Sequence, residues 1–196
     1  MKTDIFNTED YSEEQFEFFY SMMSEERKAK CSGYRNAQDR KLCILADYAA
    51  RKMIEEETGI PAADIVFSKD VNGKPQAENI DIQFNYSHSG TLVAVAVGDK
   101  PAGIDIEKIS EKILKVIPRF ACDSEKEFAP ASEENAAMLW TLKEAYLKAA
   151  GTGIKAGLKS VSFTVQNGKI TCSDDRYIFT TEKTHGDYIV STCEMK

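Results

Sequence analysis

The sequence predicts an α+β protein built from two small, similar α/β lobes that share an interface. Three observations carry this expectation. Each half holds one long amphipathic helical pattern, each helix is accompanied by several short strand-like runs, and Gly98-Asp99-Lys100-Pro101 separates the halves with turn chemistry. The lobes are therefore expected at residues 1–98 and 103–196, with a ligand site at the interface between them. At 196 residues, 42% hydrophobic and 29% charged, the chain can bury two such cores.

In the first half, Leu42, Leu45, Ala46, Ala49 and Met53 recur at three- and four-residue steps, which predicts a helix over 36–57 ended by Thr58-Gly59-Ile60-Pro61. Strand-like runs follow at 65–67, 82–86 and 92–97, with Asn72-Gly73 marking a turn. In the second half, 103–107 reads as a strand and 133–150 as a long helix closed by Gly151 and Gly153. Further strands are expected at 160–165, 177–181 and 188–193.

Composition narrows the function classes. The net charge of -7 argues against nucleic acid as the main partner, because phosphate backbones are bound chiefly by Lys and Arg. Residues 25–52 and 141–159 are nevertheless net positive, two basic islands in an acidic chain. The five cysteines lack a C-x-x-C pair and there are two histidines, so neither a disulfide framework nor a zinc site is expected. The longest apolar run, Leu92 to Val97, is too short for a membrane span, and the acidic first residues lack a secretory pattern. A cytoplasmic monomer is expected.

Two segments concentrate the chemistry. In Gly103-Ile104-Asp105-Ile106-Glu107 the strand alternation puts Asp105 and Glu107 on one face, where two carboxylates repel unless a hard cation such as Mg²⁺ or Mn²⁺ lies between them. The bland alternative is a solvated acidic face. In Trp140-Thr141-Leu142-Lys143-Glu144-Ala145-Tyr146-Leu147-Lys148, the residues Trp140, Glu144 and Lys148 follow one helical face at four-residue steps. Glu144 and Lys148 there form either a surface ion pair or part of a site, with Glu144 completing the carboxylates and Lys143 and Lys148 meeting phosphate oxygens. The turn-like stretch Phe84-Asn85-Tyr86-Ser87-His88-Ser89-Gly90 offers hydroxyl and backbone donors to an anion.

Jointly, Gly73-Lys74-Pro75, Asn85-Tyr86-Ser87-His88-Ser89-Gly90, Gly103-Ile104-Asp105-Ile106-Glu107 and Trp140-x-x-Lys143-Glu144-x-x-x-Lys148 resemble the surfactin-synthetase-activating type of 4′-phosphopantetheinyl transferase. The resemblance runs from about Glu25 to Gly153 and implies two similar α/β lobes related by a pseudo-twofold axis, with coenzyme A between them. It implies transfer of the phosphopantetheine arm of coenzyme A to a serine of an acyl, peptidyl or aryl carrier protein, with release of 3′,5′-ADP. It also implies Mg²⁺, with Mn²⁺ as a substitute, held by Asp105, Glu107 and Glu144, and Glu144 and Lys148 as catalytic residues. Coenzyme A would meet Arg27, Lys30, Lys74, Pro75, Ser87, His88, Lys143 and Lys148. The family commonly has an Arg where Leu42 stands, so Arg40 or Lys41 would substitute from a neighbouring position. Apolar residues between Ile117 and Phe128 are expected to dock the carrier. A non-catalytic coenzyme A or carrier-binding module and a Mg²⁺-dependent nucleotide pyrophosphatase are the competing readings.

Overall fold

A computed structural model describes residues 1–71, 73–153, 157–166 and 168–196. Asn72, half of the expected Asn72-Gly73 turn, lies outside the described residues; Gly73 itself has a positive φ of 85°. Two three-stranded antiparallel sheets organise the chain, one ordered β1-β5-β4 and the other β6-β10-β9. The first contains β1 (Lys2–Asn7), β4 (Gln83–Ser89) and β5 (Leu92–Gly98); the second contains β6 (Ala102–Lys108), β9 (Tyr177–Thr184) and β10 (Tyr188–Met195). In each sheet the first strand of the half pairs with the last, and the penultimate strand lies outside it. This shared order is the pseudo-twofold relation that the resemblance implied.

Each sheet is covered by its long helix, α3 (Ala37–Thr58) or α5 (Glu133–Ala150). Asn36 caps α3 by accepting from the Gln38 N–H, and Ser132 caps α5 by accepting from the Asn135 N–H. Gly59 and Gly151 end the two helices in the left-handed conformation. Helix α3 packs on Val93, Val95 and Val97 of β5, while the opposite face of β5, Leu92, Ala94 and Ala96, packs on Ile104, Ile106, Tyr188 and Val190 of the second sheet. Strand β5 is thus buried on both faces, which explains its uninterrupted apolar run.

The approach of α5 to β6 is closest at Gly103. A Cβ there would lie 2.0 Å from the Ala145 carbonyl oxygen and 2.6 Å from the Ala149 nitrogen. No side chain fits in that space, so glycine sets the depth at which the helix beds onto the strand.

Several expectations shift. The strand expected at 65–67 is β2 (Phe67–Lys69), because Ile65 turns its carbonyl to the Arg51 guanidinium at 2.6 Å. It pairs with β3 (Pro75–Ala77), and β7 (Phe163–Gln166), which replaces the strand expected at 160–165, pairs with β8 (Lys169–Cys172). The stretch 84–90 is strand β4 almost throughout rather than a turn. Strand β1 and the short helices α1 (Glu13–Ser21) and α2 (Glu25–Ser32) escaped the sequence reading; β1 is an edge strand with Phe6 as its one buried side chain, so it shows no hydrophobic alternation. In the expected docking segment, helix α4 (Ile117–Phe120) buries Phe120 completely against Trp140, at 5.3 Å between ring centres, so Phe120 cannot meet a partner. Among the described residues, no helix is long and apolar enough to cross a membrane.

Replacing Gly103 with Ala is expected to cost about 3 kcal/mol of stability, because both clashing atoms are backbone and α5 must lift. Urea denaturation of the variant, followed by circular dichroism, checks this; a wild-type midpoint would contradict the packing described.

Candidate active site

The interface between the sheets is closed by side chains. Strands β4 and β6 lie side by side but belong to different sheets, and the period-two polar residues of β4 reach across to β6. The Asn85 side-chain oxygen accepts from the Ile104 N–H at 3.2 Å, Ser87 donates to Asp105 Oδ1 at 2.6 Å, and Ser89 donates to Glu107 Oε2 at 2.8 Å. Asp105 and Glu107 share one face of β6 as the alternation requires. The solvated-face alternative fails, since Asp105 is 4% exposed.

Helix α5 supplies the other wall. Lys148 Nζ donates to Asp105 Oδ1 at 2.7 Å and to the Ile104 carbonyl at 3.0 Å. Glu144 lies one turn earlier, and burial, with the Asp105 charge second, holds its carboxyl above the usual range while Lys148 pulls it back. Burial and then the Asp105 charge push Glu107 up to about 7, against the opposing hydrogen bonds of Ser89 and the Trp140 indole. Glu144 and Lys148 are therefore not a surface ion pair; both belong to this half-buried acidic cluster.

Asp105 Oδ2 is buried and has no hydrogen-bond partner. An orphaned carboxylate oxygen beside two carboxyls that resist ionisation is a donor set fitted to a hard divalent cation. Among the described residues, no three such ligands are already gathered around one point. Lys148 holds the countercharge to Asp105 in their place.

A cavity of about 260 Å³ opens beside this cluster, lined by Gly73, Lys74, Pro75, Tyr86, Glu144 and Lys148 among others. Lys74 and Pro75 thus share this cavity with Glu144 and Lys148; the Lys74 ammonium lies 3.5 Å from the Ala102 carbonyl, and burial lowers its pKa. His88 stands near Lys148 and Lys30; burial, then the Lys148 charge, lowers its pKa. Arg27 lies deeper, ion-paired to Asp47 at 3.4 Å and stacked over the Tyr86 ring, so it supports the cavity wall through Tyr86.

Three sequence expectations are corrected. Lys143 is fully buried and does not reach the cavity. Its ammonium pairs with Glu125 at 2.9 Å and donates to the Leu158 and Val161 carbonyls, at 2.9 and 2.6 Å. Glu125 is equally buried and accepts from the Cys122 and Phe163 N–H groups. Arg40 stacks over Tyr20 in a separate groove between α1 and α3, and Lys41 pairs with Glu13 beside it. Leu42 is a core residue, so neither neighbour substitutes for an Arg there. Sequence reasoning missed Asn85 and Ser89 as ligands of β6, although their period-two spacing with Ser87 was the available signal.

The family model of the 4′-phosphopantetheinyl transferase superfamily matches residues 101–193, and that of the 4′-phosphopantetheinyl transferase N-terminal region matches residues 10–100. The curated relative gsp of Aneurinibacillus migulanus, a 4′-phosphopantetheinyl transferase, is 35% identical over 150 residues, covering 74% of this chain and 63% of its own. The transferase Sfp of Bacillus subtilis (strain 168) is 32% identical over 167 residues, covering 82% of this chain and 75% of its own. A solved holo-[acyl-carrier-protein] synthase of Thermotoga maritima aligns with 49% of this chain and 62% of its own, at a TM-score of 0.43 and 25% identity. The chain belongs to the 4′-phosphopantetheinyl transferase superfamily. It spans 63% of the length of the first of these relatives and 75% of the second.

Removing Lys143 leaves Glu125 buried and unpaired, so Lys143→Ala is expected to cost about 3–5 kcal/mol. A thermal melt within a degree or two of wild type would contradict its burial. A second expectation concerns pH. The folded protein binds the Glu107 proton more tightly than the unfolded chain, so the metal-free protein loses stability as pH rises from about 4.5 toward 7. Glu107→Gln removes that loss and should be more stable at pH 8, by an amount on the order of 1–2 kcal/mol, with the difference vanishing by pH 4.5. Urea titrations in EDTA across this range check the sign.

Proposed function

We propose that the protein transfers the 4′-phosphopantetheine arm of coenzyme A to a serine hydroxyl of an apo carrier protein, forming the holo carrier and 3′,5′-ADP. The observation that carries the reading is that Asp105, Glu107, Glu144 and Lys148 form one interacting cluster, of which Glu144 and Lys148 line a cavity together with Lys74 and Pro75. Family membership and the names of the relatives support it. In this reading the lobes 1–98 and 103–196 bind coenzyme A between them, and the protein works as a cytoplasmic monomer on acyl, peptidyl or aryl carriers, without nucleic acid.

Asp105, Glu107 and Glu144 would hold Mg²⁺, or Mn²⁺ in its stead. The bound cation would neutralise charge on the pyrophosphate. The serine oxygen forms a bond to the β-phosphorus as the bond from that phosphorus to the bridging oxygen breaks, and the departing 3′,5′-ADP takes the electron pair. Glu144 serves either as the third ligand or, directly or through a water, as the base that takes the serine proton; a carboxylate bound tightly to the cation does not do both. Lys148 spends two of its three donors on Asp105 and Ile104, and the third meets a phosphate oxygen. His88 and Lys30 face the 3′-phosphate, which restores to His88 the proton affinity that burial and Lys148 remove. Ser87, next along the same strand, gives its hydroxyl proton to Asp105 and so bonds the 3′-phosphate only if that hydrogen bond is exchanged. Lys74 and Pro75 lie along the nucleotide, with Arg27 behind Tyr86.

Incubated with coenzyme A, Mg²⁺ and an apo carrier, the protein should add one phosphopantetheine mass to the carrier, read by intact-protein mass spectrometry. Glu144→Ala and Asp105→Ala should each lower the rate by a factor of at least about 100 with the fold retained. No mass gain across a panel of acyl, peptidyl and aryl carriers would sink the reading. Release of 3′,5′-ADP without a carrier would replace it with a pyrophosphatase.

A further inference from the structure

We propose that Ser89 is a positioning residue of the acidic cluster, its hydroxyl fixing the Glu107 carboxylate so that one oxygen is presented to a divalent cation. The proposal rests on the metal reading of Asp105, Glu107 and Glu144 given above. It assigns to the first half of the chain a part of the metal site that the carboxylates alone do not contain.

The Ser89 hydroxyl has its direction set. It accepts the Lys108 N–H at 3.1 Å, so its own proton points to Glu107 Oε2, at 2.8 Å. With Oε2 held by Ser89 and the carboxylate also bonded by the Trp140 indole, the orientation of the group is set from both halves of the chain. Without the Ser89 bond, the repulsion of an ionised Glu107 by Asp105, two residues along the same face of β6, is opposed by the Trp140 indole and the Lys148 charge alone, and the pair presents adjacent oxygens less well.

The backbone that carries Ser89 is equally fixed. Ser89 is the last residue of β4 and pairs with Leu92 across a tight turn. Gly90 in that turn has a φ of 61°, and a Cβ on it would lie 2.1 Å from the Tyr188 hydroxyl oxygen. The Gln38 side chain donates to the Gly90 carbonyl at 3.1 Å, and the Thr91 N–H donates to the Tyr188 hydroxyl at 3.4 Å. Helix α3 and strand β10, from opposite halves, therefore pin the turn from both sides. A hydroxyl on so rigid a mount serves to orient a ligand group, and loss of such an outer partner commonly weakens metal binding by about 10–100-fold.

The test is Mn²⁺ binding to the full chain without coenzyme A, read from the free-ion signal in electron paramagnetic resonance. Ser89→Ala and Ser89→Cys are expected to weaken binding by about tenfold, and Ser89→Thr, which keeps the hydroxyl on a residue suited to a strand, is expected to restore it. In the transfer assay the loss should fall on the KM for Mg²⁺ more than on kcat. Binding within twofold of wild type in either weak-donor variant, or failure of Ser89→Thr to restore it, overturns the proposal. Ser89→Cys, close to serine in size, decides the matter if Ser89→Ala does not fold. Wild-type protein that binds no Mn²⁺ overturns the metal reading and this proposal together, whereas wild-type binding lost in Asp105→Asn but kept in Ser89→Ala overturns this proposal alone.

Discussion

Strand β6 has a backbone partner on one side and a row of side chains on the other. Asn85, Ser87 and Ser89 of β4 take up the place that a neighbouring strand would fill, and they hold Asp105, Glu107 and the Ile104 and Lys108 amides. This constraint governs the rest of the molecule. A continuous sheet would have joined the halves through backbone bonds and left the carboxylates free to rotate. The side-chain ladder joins them through the acidic groups themselves. Assembly of the two halves and assembly of the acidic cluster are one event.

The same constraint explains why the cluster tolerates such unfavourable electrostatics. Asp105 is buried next to Glu107, and one of its oxygens lacks a partner, a cost of several kcal/mol in general terms unless a cation answers it. Lys148 answers part of it, through one oxygen. The interlobe core of Leu92, Ala94, Ala96, Ile104, Ile106, Tyr188 and Val190 is apolar and contiguous, and its burial offsets what the carboxylates cost. The Glu125–Lys143 pair, fully hydrogen-bonded, locks the rotation of α5 so that Glu144 and Lys148 turn to the cavity.

What the sequence disclosed follows from period and locality. Both long helices, the glycines that close them and the shared face of Asp105 and Glu107 were legible because each is a local pattern. The Lys143 assignment failed for a reason also visible in that pattern: Leu139 and Leu147, four residues either side of it, are core residues, so Lys143 sits on the buried stripe and demands a carboxylate that only tertiary contact supplies. Arg40 has Ile44 one turn on and faces α1, an element the sequence did not disclose. The contact of Ser89 with Glu107 joins strands of different sheets, so no pairing rule announces it.

The pseudo-twofold relation raises the question of why chemistry gathers in one groove and not in its counterpart. Matching the hairpin ends of the two sheets sets Lys108 against Asn7, both of which pair with the first residue of the last strand. In this register Asp105 corresponds to Asp4, Glu107 to Phe6, and Ser87 to Glu182, which pairs with Val190 as Ser87 pairs with Ala94. The counterpart groove, lined by Asp4, Thr180, Glu182 and His185 among others, therefore replaces a hydroxyl donor with a carboxylate opposite Asp4 and replaces the second acid with a core aromatic. Donor facing acceptor joins β4 to β6 and buries the acid, whereas Asp4 and Glu182 both stay exposed to solvent. Two differences, a carboxylate for a hydroxyl and an aromatic for an acid, make the grooves chemically unlike while the strand order remains the same.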